Sequence, residues 1–250
     1  MAAGLQLQRC VVAQTGKHSA SVIFLHGSGD TGQGLRAWVR DVLKQDLAFP
    51  HIRVIYPTAP ARPYTPMRGA LSHVWFDRYK ISWDCPEHLE SVEAMCSTLD
   101  AVVQQEVRAG VPKHRLLIGT VGGSDSFPEF AAVAIFTFKK ISNKKDAVFK
   151  FHPDVAGVFA LSSFLNKDSV VFQAGPRQSL PELFQCHGTA DELVPHDWAE
   201  MTVARLRDAG VSVTFHSFPG VQHQLSRAEL EKLRSWIIKK LPQEDPPVRD

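Results

Sequence analysis

The sequence predicts an α/β fold in which a mostly parallel central sheet carries helices on both faces. Short apolar, β-branched runs alternate along the 250-residue chain with longer segments of helical periodicity. Strands that alternate with helices in this way usually pair in parallel, and their catalytic and binding loops lie at the carboxyl ends of the strands. We therefore expect the chemistry of this chain in the loops that follow its strands.

The N-terminal quarter contains two strands with a helix between them. Residues 21–25 form an apolar run that ends at a glycine-rich stretch, and residues 35–47 repeat apolar side chains along one helical face. Residues 52–56 form the second apolar run, which Pro57 ends. Four prolines within residues 57–66 then predict a rigid surface loop.

The remaining pattern continues the alternation and ends in a polar tail. It predicts a helix over 87–109, strands over 115–119, 155–161, 182–186 and 211–218, and a closing helix over 227–241. We interpret residues 1–241 as a single domain, since 250 residues suit one large α/β domain. The proline-rich acidic residues 242–250 are expected to form a flexible tail.

Neither the net charge nor the composition indicates a class of binding partner. The 28 basic and 26 acidic residues leave a net charge of +2, too small to attract nucleic acid or an anionic membrane surface. The longest apolar runs, such as residues 131–136, are far shorter than the roughly 20 residues of a membrane helix, so we expect no stable membrane insertion. Residues 1–10 lack a basic head followed by an apolar run, which favours a cytoplasmic protein.

Metal and cofactor sites find no support in the cysteines or histidines. The chain has four cysteines without paired spacing or nearby ligand-spaced histidines: Cys10, Cys85, Cys96 and Cys186. Zinc sites and thioredoxin-like motifs need such spacing. We expect reduced thiols, no metal and no cofactor.

The glycine-rich stretch after the first strand has three readings. Gly27, Gly29 and Gly32 match the dinucleotide-binding pattern G-x-G-x-x-G. However, the strand over 52–56 is not followed by the acidic residue that such a fold uses, and Asp30 would repel a pyrophosphate. An oxyanion loop, with backbone N–H groups aimed at a developing alkoxide and His26 orienting the loop, fits better. A simple tight turn between strand and helix is the third reading.

An acid and a histidine follow two later strands. Asp191 comes after the strand over 182–186, and His223 comes after the strand over 211–218. Hydrolases of this topology use the chain order nucleophile, acid, base, in which the acid fixes the imidazole that moves the proton of the nucleophile. Either residue alone would be an ordinary surface residue. Their shared placement at carboxyl ends of strands makes the pair a candidate for catalysis.

Several motifs together resemble the acyl-protein thioesterases, which have the α/β-hydrolase fold. They are FLHGSGDTGQG, VIYPTAP, WFD, HGTADELVP and FHSFPGVQHQL, and the resemblance covers residues 5–119 and 152–241. It implies a serine hydrolase that needs no cofactor and acts on S-acylated protein cysteines or small acyl esters. It also implies that Asp191 is the triad acid, that His223 is the triad base, and that the Ser28 N–H forms half of the oxyanion hole. We expect a monomer by default, with weak dimerisation as the alternative.

The resemblance fails between residues 120 and 151. The family carries its nucleophile in a G-x-S-x-G elbow at this point, and its serine would fall at position 122, where this chain has Gly122. The nearest serine is Ser124, in the sequence GGSDS, two residues later. Ser124 is therefore the candidate nucleophile, and the Asp125 N–H is the candidate second oxyanion donor. The Asp125 carboxylate would oppose a developing anion by about 1 to 4 kcal/mol at 4 Å.

Two hypotheses remain open from the sequence. In the first, Ser124 serves as the nucleophile of an active hydrolase. In the second, the chain has lost its nucleophile and acts, if at all, as a binder of acyl groups or acylated proteins. The segment 120–151 looks inserted, with an apolar helix expected over 130–138 and a basic, polar run after it. We also expect the proline-rich loop to cover an acyl site, with Tyr64, Met67, Leu71 and Trp75 as candidate lining residues.

Overall fold

A computed structural model describes residues 7–122, 138–143, 146–151, 154–173 and 180–244 of the chain. Its strands are β1 (Arg9–Val12), β2 (Ala20–Leu25), β3 (Ile52–Pro57), β4 (Ala61–Tyr64), β5 (Ala70–His73), β6 (Leu116–Val121), β7 (Phe138–Asn143), β8 (Asp146–Phe151), β9 (Gly157–Leu161), β10 (Leu183–Gly188) and β11 (Val213–Phe218). Its helices are α1 (Gly32–Leu43), α2 (Leu89–Arg108), α3 (His196–Asp208) and α4 (Arg227–Lys240). Within these residues, no helix is long and apolar enough to cross a bilayer.

Seven of these strands form one sheet in the order β1-β3-β2-β6-β9-β10-β11. All neighbours pair in parallel except β1 and β3, which are antiparallel. The predicted mostly parallel sheet is therefore confirmed. Because its strands are parallel apart from β1, the loops after β2, β6, β10 and β11 all leave the sheet at one edge, which we call the carboxyl edge.

Helices cover both faces of the sheet, as the sequence predicts. Alternate residues of β2 point to opposite sides, so that Ile23 packs in a core with α2 and α3, whereas Phe24 packs in a second core with α1 and α4. The side chains of both residues are fully buried. This burial on both faces explains why the central strands read as continuous apolar runs in the sequence.

Besides the two hairpins described below, β1 and α3 are absent from the sequence prediction. Strand β1 is four residues long and pairs only with β3 in the sheet, so its pattern is too short to stand out. Helix α3 does carry a signal, because the buried residues Ala199, Val203 and Leu206 recur at helical spacing. With both elements included, the alternation of strands and helices continues through the C-terminal part of the described chain.

The proline-rich stretch forms a hairpin where the sequence predicts a rigid surface loop. Strands β4 and β5 pair in antiparallel fashion around a single 3-10 turn at Thr65–Met67. Pro63 is tolerated because this sheet has only two strands, so both have an edge without a partner. The Asp77 carboxylate fixes the turn by accepting the Thr65 N–H at 2.9 Å and the Thr65 hydroxyl at 2.7 Å.

The segment with no family resemblance contains a second hairpin, formed by β7 and β8. The basic, polar run after position 138 therefore forms strands, and the predicted helix over 130–138 is wrong at Phe138, where β7 begins. The rest of that predicted helix lies outside the described residues.

The beginning of the predicted flexible tail is attached to the domain. The Arg115 guanidinium donates to the Pro242 carbonyl at 2.8 Å, and its Nε lies 3.9 Å from the Glu244 carboxylate. Residues 242–244 therefore continue the packing of the C-terminal helix. Residues 245–250 lie outside the described residues.

Candidate active site

Asp191 and His223 meet at the carboxyl edge of the sheet. His223 Nδ1 donates to Asp191 Oδ2 at 2.7 Å, and both side chains are buried. Asp191 Oδ1 accepts the N–H groups of Leu193 and Val194 at 3.0 and 2.8 Å. Burial opposes ionisation of Asp191, but hydrogen bonds from His187 and His223 outweigh it and hold the pKa of Asp191 below its ordinary value. The pair is therefore an ionised acid that orients an imidazole.

Gly122 lies directly in front of His223 Nε2. It follows β6, and its N–H donates to the Leu161 carbonyl at 2.8 Å. A Cβ atom at this position would lie 2.8 Å from His223 Nε2, 2.6 Å from His223 Cε1 and 2.5 Å from the Ser162 carbonyl oxygen. The position at which the resemblance expects a serine therefore faces the His223 ring, and in this chain it carries no side chain.

The described structure brings together some of the predicted site residues. Asp191, His223 and the glycine-rich loop with Ser28 all lie at the carboxyl edge, at the ends of β10, β11 and β2. Ser124 and Asp125, the candidate nucleophile and second oxyanion donor, lie outside the described residues.

The glycine-rich loop turns tightly between β2 and α1. The Gly29 N–H donates to the His73 carbonyl and the Asp30 N–H donates to the Gly27 carbonyl. Ser28 is buried, and its N–H has no acceptor within hydrogen-bonding distance among the residues that the structure describes. This arrangement suits an N–H group that binds an anionic oxygen from outside the protein.

The same loop argues against the dinucleotide-binding reading. Gly32 is required because a Cβ there would lie 2.0 Å from the Tyr56 carbonyl oxygen, so the start of α1 approaches the end of β3 very closely. Asp30 Oδ1 accepts the Thr31 N–H at the N-terminus of the same helix. A carboxylate therefore already occupies the place where a pyrophosphate would bind.

His26 orients the loop through three hydrogen bonds. Its Nδ1 donates to the Gly27 carbonyl at 2.6 Å, its Nε2 accepts the Ala59 N–H at 3.0 Å, and its own carbonyl accepts from Trp75 Nε1 at 3.0 Å. Burial lowers the pKa of His26 to about 4, so the ring is neutral at neutral pH. Only this neutral tautomer can donate at Nδ1 and accept at Nε2 together.

The candidate lining residues fall into two groups. Tyr64 and Trp75 are buried, and the Trp75 ring lies 5.4 Å from the His26 ring, between centroids. Leu71 is 73% exposed, and Met67 is half-buried on the turn of the hairpin. Trp75 is therefore the member of this set that contacts the glycine-rich loop, whereas Leu71 faces solvent.

The chain is similar to known proteins over almost its whole length. Residues 7–241 match the family described as Phospholipase/Carboxylesterase. The chain belongs to this family. Lysophospholipase-like protein 1 of Mus musculus is 54% identical to this family member over 245 residues, which cover 96% of this chain and 95% of the mouse protein. Acyl-protein thioesterase 1 of Debaryomyces hansenii is 30% identical over 234 residues, covering 90% of this chain and 94% of the yeast protein.

Solved structures agree with this assignment. The crystal structure of Zea mays acyl-protein thioesterase 2 matches with a TM-score of 0.73 and 25% identity, covering 94% of this chain and 100% of the maize chain. The predicted resemblance to acyl-protein thioesterases and the α/β-hydrolase fold are thus confirmed, and this family member is a hydrolase by descent.

Sequence reasoning missed one contact at the site. His187 lies at the end of β10, and its Nε2 is 3.2 Å from Asp191 Oδ2 and 2.8 Å from the Val194 carbonyl oxygen. In the sequence, His187 is visible only as the first letter of HGTADELVP. A loop that turns back on the strand end brings it to the acid, and no spacing rule predicts that curvature.

Proposed function

We propose that this chain hydrolyses acyl thioesters or esters, with His223 as the general base and Asp191 as the acid that orients it. The observation that carries the proposal is the buried 2.7 Å hydrogen bond from His223 Nδ1 to Asp191 Oδ2. This bond fixes the tautomer whose Nε2 lone pair can accept a proton. Names of relatives, acyl-protein thioesterase among them, support S-acylated protein cysteines, such as S-palmitoyl groups, as the substrate class.

The reaction requires neither a metal nor a cofactor. Ser124 Oγ attacks the acyl carbonyl while His223 Nε2 takes the hydroxyl proton, and the Ser28 and Asp125 N–H groups bind the resulting oxyanion. The tetrahedral intermediate expels the thiolate or alkoxide, which receives the proton from His223. Water then attacks the acyl-enzyme with the same base, releasing the carboxylic acid and restoring Ser124.

The second candidate function is a hydrolase-fold protein without catalysis, which binds acyl groups or acylated proteins. One specific observation favours it, because the residue in front of His223 Nε2 is Gly122. Ser124 follows two residues later, and two residues of chain span at most about 7 Å. A reacting atom that is misplaced by about 1 Å already loses about 100-fold in rate.

We also propose that the protein acts as a cytoplasmic monomer. The small net charge of +2 supports a protein that is not held on nucleic acid or on an anionic surface. Analytical ultracentrifugation at micromolar concentration should give the mass of a single 27.8 kDa chain.

Labelling with a fluorophosphonate probe, followed by peptide mass spectrometry, separates the two candidates. The enzyme hypothesis expects an adduct on Ser124 in the folded protein and its loss in His223→Ala. His114→Ala is the matched control, because His114 is exposed on a turn before β6 and far from the carboxyl edge. An unlabelled protein that melts cooperatively would rule out the enzyme and leave the binding hypothesis.

A further inference from the structure

His187 bridges the catalytic acid and its loop. The side chain is fully buried, and its Nε2 faces two oxygen acceptors, Asp191 Oδ2 at 3.2 Å and the Val194 carbonyl at 2.8 Å. A nitrogen between two acceptors must carry the hydrogen, so His187 is an Nε2–H donor to both. One side chain thus joins the carboxylate to the far end of the loop 191–194.

All the acceptor capacity of Asp191 is used in this arrangement. Oδ1 accepts two backbone N–H groups from its own loop, and Oδ2 accepts from His223 on one side and His187 on the other. The two Oδ1 bonds leave the carboxylate free to tilt about them. The His187 Nε2 contact at 3.2 Å is the second one made to Oδ2, the same oxygen that accepts from His223 Nδ1 at 2.7 Å, so it restricts where Oδ2 can lie.

Ionisable groups surround His187 from three elements. Glu229 on α4 is buried and interacts electrostatically with both His187 and Asp191, and burial raises the pKa of Glu229. The His196 ring on α3 lies 5.9 Å from the His187 ring, between centroids. Asp191 follows β10 itself. A variant at position 187 should therefore be neutral, so that these neighbours keep their charges.

We propose that His187 is a positioning residue that holds the Asp191 carboxylate in the orientation that His223 requires. The inference rests on the proposed function, because it takes His223 as the general base. The hydrogen bond between His223 and Asp191 can nevertheless be observed without any reaction. His187 touches neither substrate nor reacting atoms. Its effect is transmitted through Asp191 Oδ2.

The test compares two uncharged variants of the same length. His187→Gln retains an N–H donor near the Nε2 position, whereas His187→Met does not. Proton NMR of the His223 Nδ1–H reports the bond to Asp191 directly, and a proton held in a short buried bond exchanges slowly with water. We expect the resonance in the wild type and in His187→Gln, and its broadening or loss in His187→Met.

A second readout applies to the active protein. For hydrolysis of a small acyl ester, kcat should fall about 10- to 100-fold in His187→Met with little change in KM, and His187→Gln should recover most of it. If His187 were needed only for stability, its replacement by Met would lower the melting temperature. It would leave both the His223 Nδ1–H resonance and kcat per folded molecule unchanged.

The outcomes are distinguishable from failure of the proposed function. If no variant reacts, the wild type included, the proposed function fails while the NMR comparison still tests His187. A sharp His223 Nδ1–H resonance in folded His187→Met overturns the inference, and so does its loss in both variants, which would point to ring packing. If His187→Met does not fold, His187→Phe replaces it, and failure of both to fold makes His187 a structural residue and overturns the positioning role.

Discussion

Two clusters in this molecule combine a histidine with an acidic residue, and they lie at opposite edges of the same sheet. At the amino edge, where β2 begins, the Ser21 hydroxyl donates to Glu106 Oε2 at 2.7 Å, and His18 Nε2 lies 2.9 Å from the same hydroxyl oxygen. At the carboxyl edge, Asp191 accepts from His223, and His223 Nε2 faces Gly122.

The order of hydrogen bonds separates the two clusters. At the amino edge the serine stands between acid and imidazole, so its hydrogen is given to Glu106 and His18 must donate to its oxygen. Ser21 is also fully buried, and Arg53 lies 3.8 Å from Glu106 as a further counter-charge. At the carboxyl edge the imidazole contacts the acid directly through Nδ1, and its Nε2 faces Gly122. A serine, a histidine and an acid are therefore insufficient for catalysis unless the imidazole lies between the hydroxyl and the carboxylate.

The largest expected effect is at the carboxyl edge. Asp191→Asn should lower the rate of fluorophosphonate labelling by about 10⁴-fold, because the amide no longer fixes the His223 tautomer. Glu106→Gln is the matched change at the amino edge and should leave the rate per folded molecule unchanged. Equal losses in the two variants would contradict the distinction between the clusters.

Replacing Gly122 by serine should place a hydroxyl beside His223 Nε2. Gly122→Ser is expected to raise the His223-dependent labelling rate by about 100-fold, since a Cβ at this position lies 2.8 Å from His223 Nε2. The added Cβ would lie under 3 Å from the His223 ring and the Ser162 carbonyl oxygen, which should cost about 1 to 3 kcal/mol in unfolding free energy.

Gly122→Ala is the control for this variant, because it adds the same crowding without the hydroxyl. It should lose the same stability in urea unfolding and gain no labelling. Mass spectrometry should locate the new adduct at position 122. An equal gain in the alanine variant would show that crowding, and not the hydroxyl, changes the reaction.

At the amino edge, removal of the serine should affect stability alone. Ser21→Ala leaves the buried Glu106 carboxylate without one of its donors, which should lower the free energy of unfolding by about 1 to 3 kcal/mol. Urea denaturation measures this loss. The labelling rate should be unchanged, and a fall in labelling of the folded variant would break the comparison.

The last expected effect, small at neutral pH, is on the pH dependence of stability. The pKa of His26 at the carboxyl edge is about 4, below its ordinary value of 6.5, because the ring is buried. Between these two values the unfolded chain binds a proton that the folded chain does not, so stability falls as the pH decreases from about 6.5 to about 4. The slope from one such group is about 1 kcal/mol per pH unit.

His26→Gln should therefore flatten this part of the curve of unfolding free energy against pH. His18→Gln is the comparison at the amino edge. Burial and Arg53 also lower the pKa of His18, but Glu106 opposes them, so its replacement should flatten the curve less. An unchanged slope in His26→Gln would mean that the ring is not held neutral in the folded protein.

Much of the sheet was predictable because burial on both faces leaves a strong signal. Strands β2, β3, β6 and β9 are apolar runs, and their predicted limits differ from the observed ones by at most two residues. Strand β1 was not predictable in this way, because a four-residue strand at the edge carries too few apolar positions. The hairpin of β4 and β5 was hidden by its prolines, which a two-stranded sheet tolerates.

At the site, residues that follow strands could be found, and contacts that depend on loop curvature could not. Asp191 and His223 were predictable because parallel strands bring their carboxyl ends to one edge. The bond from His187 to Asp191 was not, since it depends on how the loop 191–194 returns to β10. The place of Ser124 stays a prediction, because sequence counting from β6 reaches Gly122 at the base and says nothing of how the chain continues.

The pairing of β6 with β9 has a consequence for how far the segment between these two strands can vary in length. Val121 and Leu161 are partners in the sheet, so the two strands are neighbours whatever lies between them. The closure cost of a flexible connection rises only with the logarithm of its length, about 0.6 kcal/mol per doubling. A change in the length of this connection therefore costs little closure free energy. Asp191 and His223 follow it in the chain, so a change within the connection leaves the hydrogen bond between these two residues in place.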